Sequence, residues 1–120
     1  MAEYMDLDEA KLVKELNELI LTDARAVYGS SYPTQPSQLT ITTSGRTSYL
    51  NGARYDYITA QLIVYTKPGS LVQWKLLVAG AERDSVSNAM KSLWTEVQSK
   101  MQAIIGPMQL GETWKGSKNV

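Results

Sequence analysis

Apolar residues recur at helical spacing near the start of the chain and predict an amphipathic helix. Its apolar stripe contains Leu12, Val13, Leu16, Leu19, Ile20, Ala24 and Val27. Asp6 or Asp8 can cap the first turn, and Gly29 is expected to end the helix. Residues 29–37 are rich in serine and contain two prolines, so a turn or loop is predicted there.

The middle of the chain changes to alternating apolar and polar residues, which predicts three strands over about residues 38–50, 53–66 and 70–79. Asn51-Gly52 separates the first two strands and is typical of a two-residue type I′ hairpin turn. Lys67-Pro68-Gly69 separates the second and third, and fits a three-residue turn with glycine in the left-handed region. The strands should therefore form an antiparallel meander.

The two turns also predict the register of the strands. Asn51-Gly52 places Ile41 opposite Leu62, and the three-residue turn places Leu62 opposite Trp74. Both registers bring apolar residues to one face. That face is expected to contain Leu39, Ile41, Ile58, Ala60, Leu62, Val64, Val72, Trp74, Leu76 and Val78. The other face should contain Thr40, Thr42, Tyr57, Thr59, Gln61, Ile63, Tyr65, Leu71, Gln73, Lys75 and Leu77.

A second amphipathic helix is predicted to begin at Asp84 or Ser85 and to end at Gly106-Pro107. Its apolar stripe contains Val86, Met90, Leu93, Val97, Met101 and Ile104. The fold class is therefore α+β, in the order α-β-β-β-α, with both helices packed on the apolar face of the sheet. Residues 1–107 are expected to form one domain, and residues 108–120, which include Trp114, a flexible tail.

The composition then restricts the chemistry. The 120 residues include no His and no Cys. Disulfides, thiolate nucleophiles, imidazole bases and the usual zinc ligands are therefore excluded. We find no phosphate-binding loop or dinucleotide motif, so we expect neither enzyme activity nor a cofactor or metal site. The acidic N-terminus does not resemble a signal peptide, no stretch is apolar enough for a membrane span, and the absence of Cys favours an intracellular location.

The net charge of zero conceals an uneven distribution. Residues 1–23 contain seven acids and two lysines, a net charge of −5, whereas residues 24–120 carry +5. An acidic, solvated first helix explains this pattern. A mildly basic surface that the remainder presents to a partner explains it as well.

Two regions are candidates for partner binding: the sheet face turned away from the helices and the long hairpin. Tyrosines and isolated aliphatic residues among threonine and glutamine suit an interface, although they also suit an ordinary solvated sheet. The candidate partner-binding residues are Tyr49, Arg54, Tyr55, Tyr57, Ile63, Tyr65 and Lys75.

Basic residues of the hairpin and of the second helix form a separate candidate site, for nucleic acid. The candidates are Arg46, Arg54, Arg83 and Lys91. Glu82 and Asp84 lie close to Arg83 in the sequence and weaken an anion site there.

The α-β-β-β-α order over about residues 8–105 resembles that of the double-stranded-RNA-binding domain. In that family, a Lys/Ala-rich segment that contacts phosphates opens the second helix; here the matching segment, residues 83–91, retains Arg83 and Lys91 without the lysine cluster. The family's first hairpin loop enters a minor groove, and Asn51-Gly52 would be its counterpart.

Two functions are therefore open. The first is a non-catalytic interaction domain, a degenerate relative of that family that binds a protein partner or a second copy of itself as a homodimer. The alternative is weak binding of double-stranded RNA through the basic residues of the second helix and the hairpin.

Overall fold

A computed structural model describes residues 7–28, 39–66 and 72–113. These residues form two helices and a three-stranded antiparallel sheet, which confirms the predicted α+β class and element order. The elements are α1 (Leu7–Tyr28), β1 (Leu39–Leu50), β2 (Ala53–Tyr65), β3 (Trp74–Ala79) and α2 (Val86–Ile105). The predicted turns at residues 29–37 and 67–69, together with Asp6, Leu71 and Trp114, lie outside the described residues.

Helix α1 begins and ends close to the predicted limits. Asp8 and Glu9 lie in its first turn and Arg25 in its last, where each charge opposes the helix dipole. Four residues of the predicted stripe are buried together with Tyr28, and they are Leu16, Ile20, Ala24 and Val27, whereas Leu19, also predicted in the stripe, is 46% exposed. Three- and four-residue steps bring these side chains to one side of the helix, which packs on the sheet and on α2.

Helix α2 is capped by Ser85, whose hydroxyl accepts a hydrogen bond from the backbone N–H of Asn88 at 3.2 Å. Its buried stripe consists of Ala89, Met90, Leu93 and Val97. Polar contacts also join the helices: Trp94 Nε1 donates to the Asp23 carboxylate at 3.1 Å, and the Ser87 hydroxyl donates to Glu9 at 3.1 Å.

The first hairpin has the predicted register. Leu39 pairs with Val64, Ile41 with Leu62 and Leu50 with Ala53, without interruption along β1. Asn51 and Gly52 have φ angles of 54° and 82°, so both turn residues are left-handed, as a type I′ turn requires. An Asn-Gly pair adopts this conformation at low cost, which is why the turn determines the register.

The second hairpin has a different register from the predicted one. Leu62 pairs with Val78 instead of Trp74, and the register shifts between Leu62 and Ile63, so that Ile63 pairs with Leu76. The Thr66 N–H donates to the carbonyl of Gln73 at 3.1 Å, and the connection is therefore longer than a three-residue turn. The predicted pairing of Leu62 with Trp74 is wrong for this reason.

This irregularity reverses the faces expected for most of β3. Trp74 and Leu76, predicted to lie under the helices, pair with Tyr65 and Ile63 and lie on the opposite face. Lys75, predicted on that opposite face, pairs with Val64 and belongs to the side of the helices. Leu77 was predicted on the face turned away from the helices, but it packs against the core beside Val78. Two consecutive residues directed to one face are typical of a β-bulge.

Both helices pack on one face of the sheet, as predicted, and the core lies between them and β2. Ala60 and Leu62 are fully buried there, and Val64 is nearly so. Gly80, just after β3, allows α2 to approach closely, since a Cβ atom built on it would lie 2.7 Å from the Leu93 backbone nitrogen. The opposite face of the sheet, called the open face below, carries the candidate site.

Candidate partner-binding surface

A groove of about 390 Å³ lies on the open face. It crosses all three strands, and its lining residues are Thr42, Ser44, Gln61, Ile63, Tyr65, Trp74 and Leu76. The bulge in β3 creates this groove, because it turns Trp74 and Leu76 away from the helices.

Ile63 forms the most buried part of the groove. It is only 3% exposed although it does not belong to the core cluster between the sheet and the helices. Trp74 and Leu76 beside it remain 54% and 50% exposed. An apolar residue shielded by large, half-exposed neighbours provides a place where a further apolar group can be buried.

The other end of the groove is polar. The side-chain amide of Gln61 accepts a hydrogen bond from the Ser44 hydroxyl at 2.8 Å and donates one to the Thr42 carbonyl at 3.2 Å, in the orientation that satisfies both ends of the amide. These bonds hold the amide against the sheet, so this end is ordered before any partner arrives.

A charged cluster follows along the same face. The guanidinium of Arg46 lies 4.5 Å from the centroid of the Tyr57 ring and binds Glu82 through both Nε and Nη2, the latter at 2.9 Å from Oε1. The hydrogen bond with Arg46 lowers the pKa of Glu82, and the same bond raises the pKa of Arg46. The cluster is exposed, so it orients side chains at the border of the groove and contributes little to stability.

The tip of the hairpin carries a second ion pair. Asp56 accepts hydrogen bonds from the Thr47 hydroxyl at 2.8 Å and from Arg54 Nε at 3.0 Å. The bond from Thr47, followed by that from Arg54, lowers the pKa of Asp56. Tyr49 pairs with Arg54 on the helix side of the sheet, yet it is 70% exposed because it lies beyond the part that the helices cover.

The structure brings only some of the predicted partner-binding residues together. Ile63 and Tyr65 line the groove. Tyr57 lies beside it on the same face, where its ring contacts Arg46. Tyr55 pairs with Ser48 on the open face nearer the hairpin tip. Tyr49, Arg54 and Lys75 belong to the opposite side, as their pairing partners show.

The four basic candidates for nucleic-acid binding do not share one surface. Arg46 lies on the open face, where it contacts Glu82. Arg54 lies at the hairpin tip on the other side, where it contacts Asp56. Arg83 pairs with Ile58, a residue of the helix side, and Lys91 is exposed on α2. Two of the four charges are thus balanced by carboxylates.

Two groove residues, Trp74 and Leu76, were missed by the sequence analysis, which placed them in the core. One signal was available: Leu76, Leu77 and Val78 are consecutive apolar residues, so simple alternation could not assign all three to one face. A bulge among them resolves the conflict.

Comparison with known proteins gives no match to a family model, a curated protein or a solved structure. Within the described ranges, neither helix is long and apolar enough to cross a membrane. Residues 7–28, 39–66 and 72–113 also contain no group of three acidic, His or Cys side chains arranged to hold a metal ion.

Proposed function

We propose that this chain is a small non-catalytic interaction domain and that the groove on its open face binds an apolar or aromatic side chain of a protein partner. The observation that supports this most is the position of Trp74 and Leu76, both half exposed beside the buried Ile63. Tryptophan and tyrosine are the residues on which protein interfaces most often depend for affinity.

The size of the groove is consistent with a side chain as its occupant. Pockets for small molecules usually measure about 300–1,000 Å³, and this groove lies at the lower end of that range. The ordered amide of Gln61 offers a polar boundary on one side, and Arg46 and Glu82 offer charges for the rim of an interface.

Double-stranded RNA binding, the alternative from the resemblance to the RNA-binding family, receives less support. RNA affinity depends on several free positive charges that can approach phosphates together. Arg46 and Arg54 instead bind Glu82 and Asp56 on opposite sides of the sheet. Titration of a duplex RNA at low salt tests this alternative, and we expect no saturable binding.

Selection from a phage-displayed random peptide library tests the proposed groove. The baits are the wild-type chain, Trp74→Ser, and Leu110→Ser, a control that removes a fully exposed leucine from another part of the chain. We expect the wild type and Leu110→Ser to enrich the same peptides with an aromatic or aliphatic anchor. A selected peptide should bind Trp74→Ser at least tenfold more weakly, or about 1.4 kcal/mol.

Circular dichroism first confirms that each variant is folded. The proposal fails if the wild type enriches no peptide. It also fails if the enriched peptides bind Trp74→Ser as tightly as they bind the wild type.

A further inference from the structure

The outer edge of β1 presents a regular row of backbone hydrogen-bonding groups. On β2, Ile58 exchanges hydrogen bonds of 2.8 and 2.9 Å with Arg83, and the Ala60 carbonyl accepts one from Gly80 at 3.0 Å. These even-numbered residues direct their backbone groups away from β1. Since successive residues of a strand point their N–H and C=O groups to opposite sides, the odd-numbered residues of β2 bond to β1.

The same alternation determines which residues of β1 face outward. The odd-numbered residues of β2 pair with the even-numbered residues of β1, such as Tyr57 with Arg46. Thr43, Gly45, Thr47 and Tyr49 therefore direct their backbone groups to the outer side. In the strand order β1-β2-β3 this side is an edge of the sheet.

Among the described residues, β1 itself carries none of the sequence features that usually prevent an edge strand from pairing with another chain. The pairing of β1 with β2 runs from Leu39 to Leu50 without a bulge, and the strand contains neither lysine nor proline. Its only charged residue, Arg46, is held by Glu82. We propose that β1 pairs antiparallel with β1 of a second copy, about a two-fold axis at Gly45, to form a continuous six-stranded sheet.

The sequence of β1 is complementary to itself in this register. Thr43 of one copy lies opposite Thr47 of the other, and Ile41 lies opposite Tyr49. Threonine pairs and pairs of an aromatic with a β-branched residue are among the favourable cross-strand pairs of antiparallel sheets. The two glycines at the axis leave no side chains to collide there.

The neighbouring registers are less favourable. An axis at Arg46 would place the two guanidinium groups directly opposite each other. An axis at Ser44 would place Tyr49 opposite Leu39, which is 5% exposed and already buried in its own core. Ile41 is only partly buried and has surface left for a new contact.

Pairing at Gly45 would also cover the exposed tip of each hairpin. Tyr49 lies on the helix side of the sheet but beyond its own helices. The two-fold axis brings it beside Ile41 of the other copy, which packs against the core beneath the helices. Each copy would thus provide the apolar cover that the other lacks.

This dimer leaves the groove on the open face accessible, because pairing at an edge covers neither face of a sheet. The inference therefore goes beyond the proposed function, and each can fail while the other holds. A dimer that enriches no peptide contradicts only the groove, and a monomer that binds peptide contradicts only the edge pairing.

Sedimentation velocity over a range of concentrations up to about 1 mM tests for the dimer. We expect the wild-type chain to dimerise. Thr43→Pro, which removes an outward N–H, should raise the dissociation constant of the dimer at least tenfold. Thr43→Val keeps that N–H and should behave as the wild type does. A wild-type chain that stays monomeric throughout would overturn the proposal.

Disulfide crosslinking tests the register itself. The chain has no Cys, so a single introduced cysteine can crosslink only between copies. Opposed residues that exchange hydrogen bonds have Cα atoms about 5.5 Å apart, within the range of a disulfide. The Cβ atom of Gly45→Cys would be 3.5 Å from the Tyr57 carbonyl oxygen, an ordinary contact, so this variant should fold.

We expect Gly45→Cys to form a covalent dimer under mild oxidation. Thr43→Cys and Thr47→Cys should crosslink efficiently only when they are mixed. Gln102→Cys, on the exposed surface of α2, is the control. The proposal is wrong if Gly45→Cys crosslinks no faster than Gln102→Cys, or if Ser44→Cys crosslinks and Gly45→Cys does not.

Discussion

Trp74 lies directly opposite Tyr65 across β2 and β3, on the sheet face that the helices leave uncovered. Leu62, one residue before the register shift, is fully buried on the helix face. The register predicted from a three-residue turn would have placed these two apolar residues opposite each other, whereas the observed register places them on different faces. Their substitution should have different consequences.

We expect Leu62→Ala to lower the free energy of unfolding by about 2–5 kcal/mol, because it leaves a cavity in a packed core. Trp74→Ala should lower it by only about 1 kcal/mol, since half of that side chain is already in water. Urea denaturation measures both values. Equal, large losses would mean that Trp74 belongs to the core and that the register described here is incorrect.

The close approach at Gly80 allows a second prediction. Gly80→Ala would place a Cβ atom 2.7 Å from the Leu93 nitrogen and 3.1 Å from its Cα, both backbone atoms that cannot rotate away. We expect a loss of about 1–3 kcal/mol in thermal or urea unfolding. Gly45→Ala is the matched control, because its Cβ meets only an ordinary 3.5 Å contact. A Gly80→Ala chain as stable as this control would contradict the packing of α2 against the end of β3.

The ion pair between Arg46 and Glu82 predicts a measurable titration shift. NMR titration should give a pKa of Glu82 below the ordinary value for glutamate, since the guanidinium stabilises the carboxylate. Arg46→Met should return that pKa toward the ordinary value. Because the pKa of Glu82 is lower in the folded chain than in the unfolded chain, the ion pair adds its full contribution to the free energy of unfolding at pH values above the ordinary glutamate pKa. This contribution disappears as the pH falls through the lowered pKa of the folded chain. An unchanged pKa in Arg46→Met would show that the pair does not form in solution.

The hydrogen bond from Trp94 to Asp23 joins the two helices through partly buried side chains. A double-mutant cycle with Trp94→Phe and Asp23→Ala should give a coupling free energy of about 0.5–1.5 kcal/mol. Asp56→Ala, at the hairpin tip, replaces Asp23→Ala in the control cycle and should be additive with Trp94→Phe. Coupling of the same size in both cycles would exclude a specific contact between the helices.

Much of this fold could be predicted because several local signals agreed. The Asn51-Gly52 turn has a narrow range of conformations, and the alternation on both sides of it places Ile41 and Leu62 on the same face. The ends of α2 were also predictable, since Ser85 and Gly106 are typical residues at helix ends.

The groove could not be predicted, because β3 carries apolar residues on both faces. Leu76, Leu77 and Val78 leave the alternation ambiguous, and only the packing of α2 on the sheet decides which of them is buried. A turn assigned at Lys67-Pro68-Gly69 then extended the wrong register along the whole strand. Ion pairs such as that of Arg46 with Glu82 were equally inaccessible, because they join residues that are distant in sequence.

The uninterrupted pairing of β1 with β2 has a consequence for the order in which the chain folds. Pairing of this hairpin can begin at Leu50 and Ala53, only three residues apart, and extend outward from Asn51-Gly52. The nearest pair of β2 with β3, Tyr65 with Trp74, is nine residues apart, and β3 must also find its bulged register. We therefore expect φ-values near the Asn-Gly turn to exceed those in β3. During synthesis the hairpin would then form while β3 and α2 are still absent, with α1 as the first cover for its apolar face.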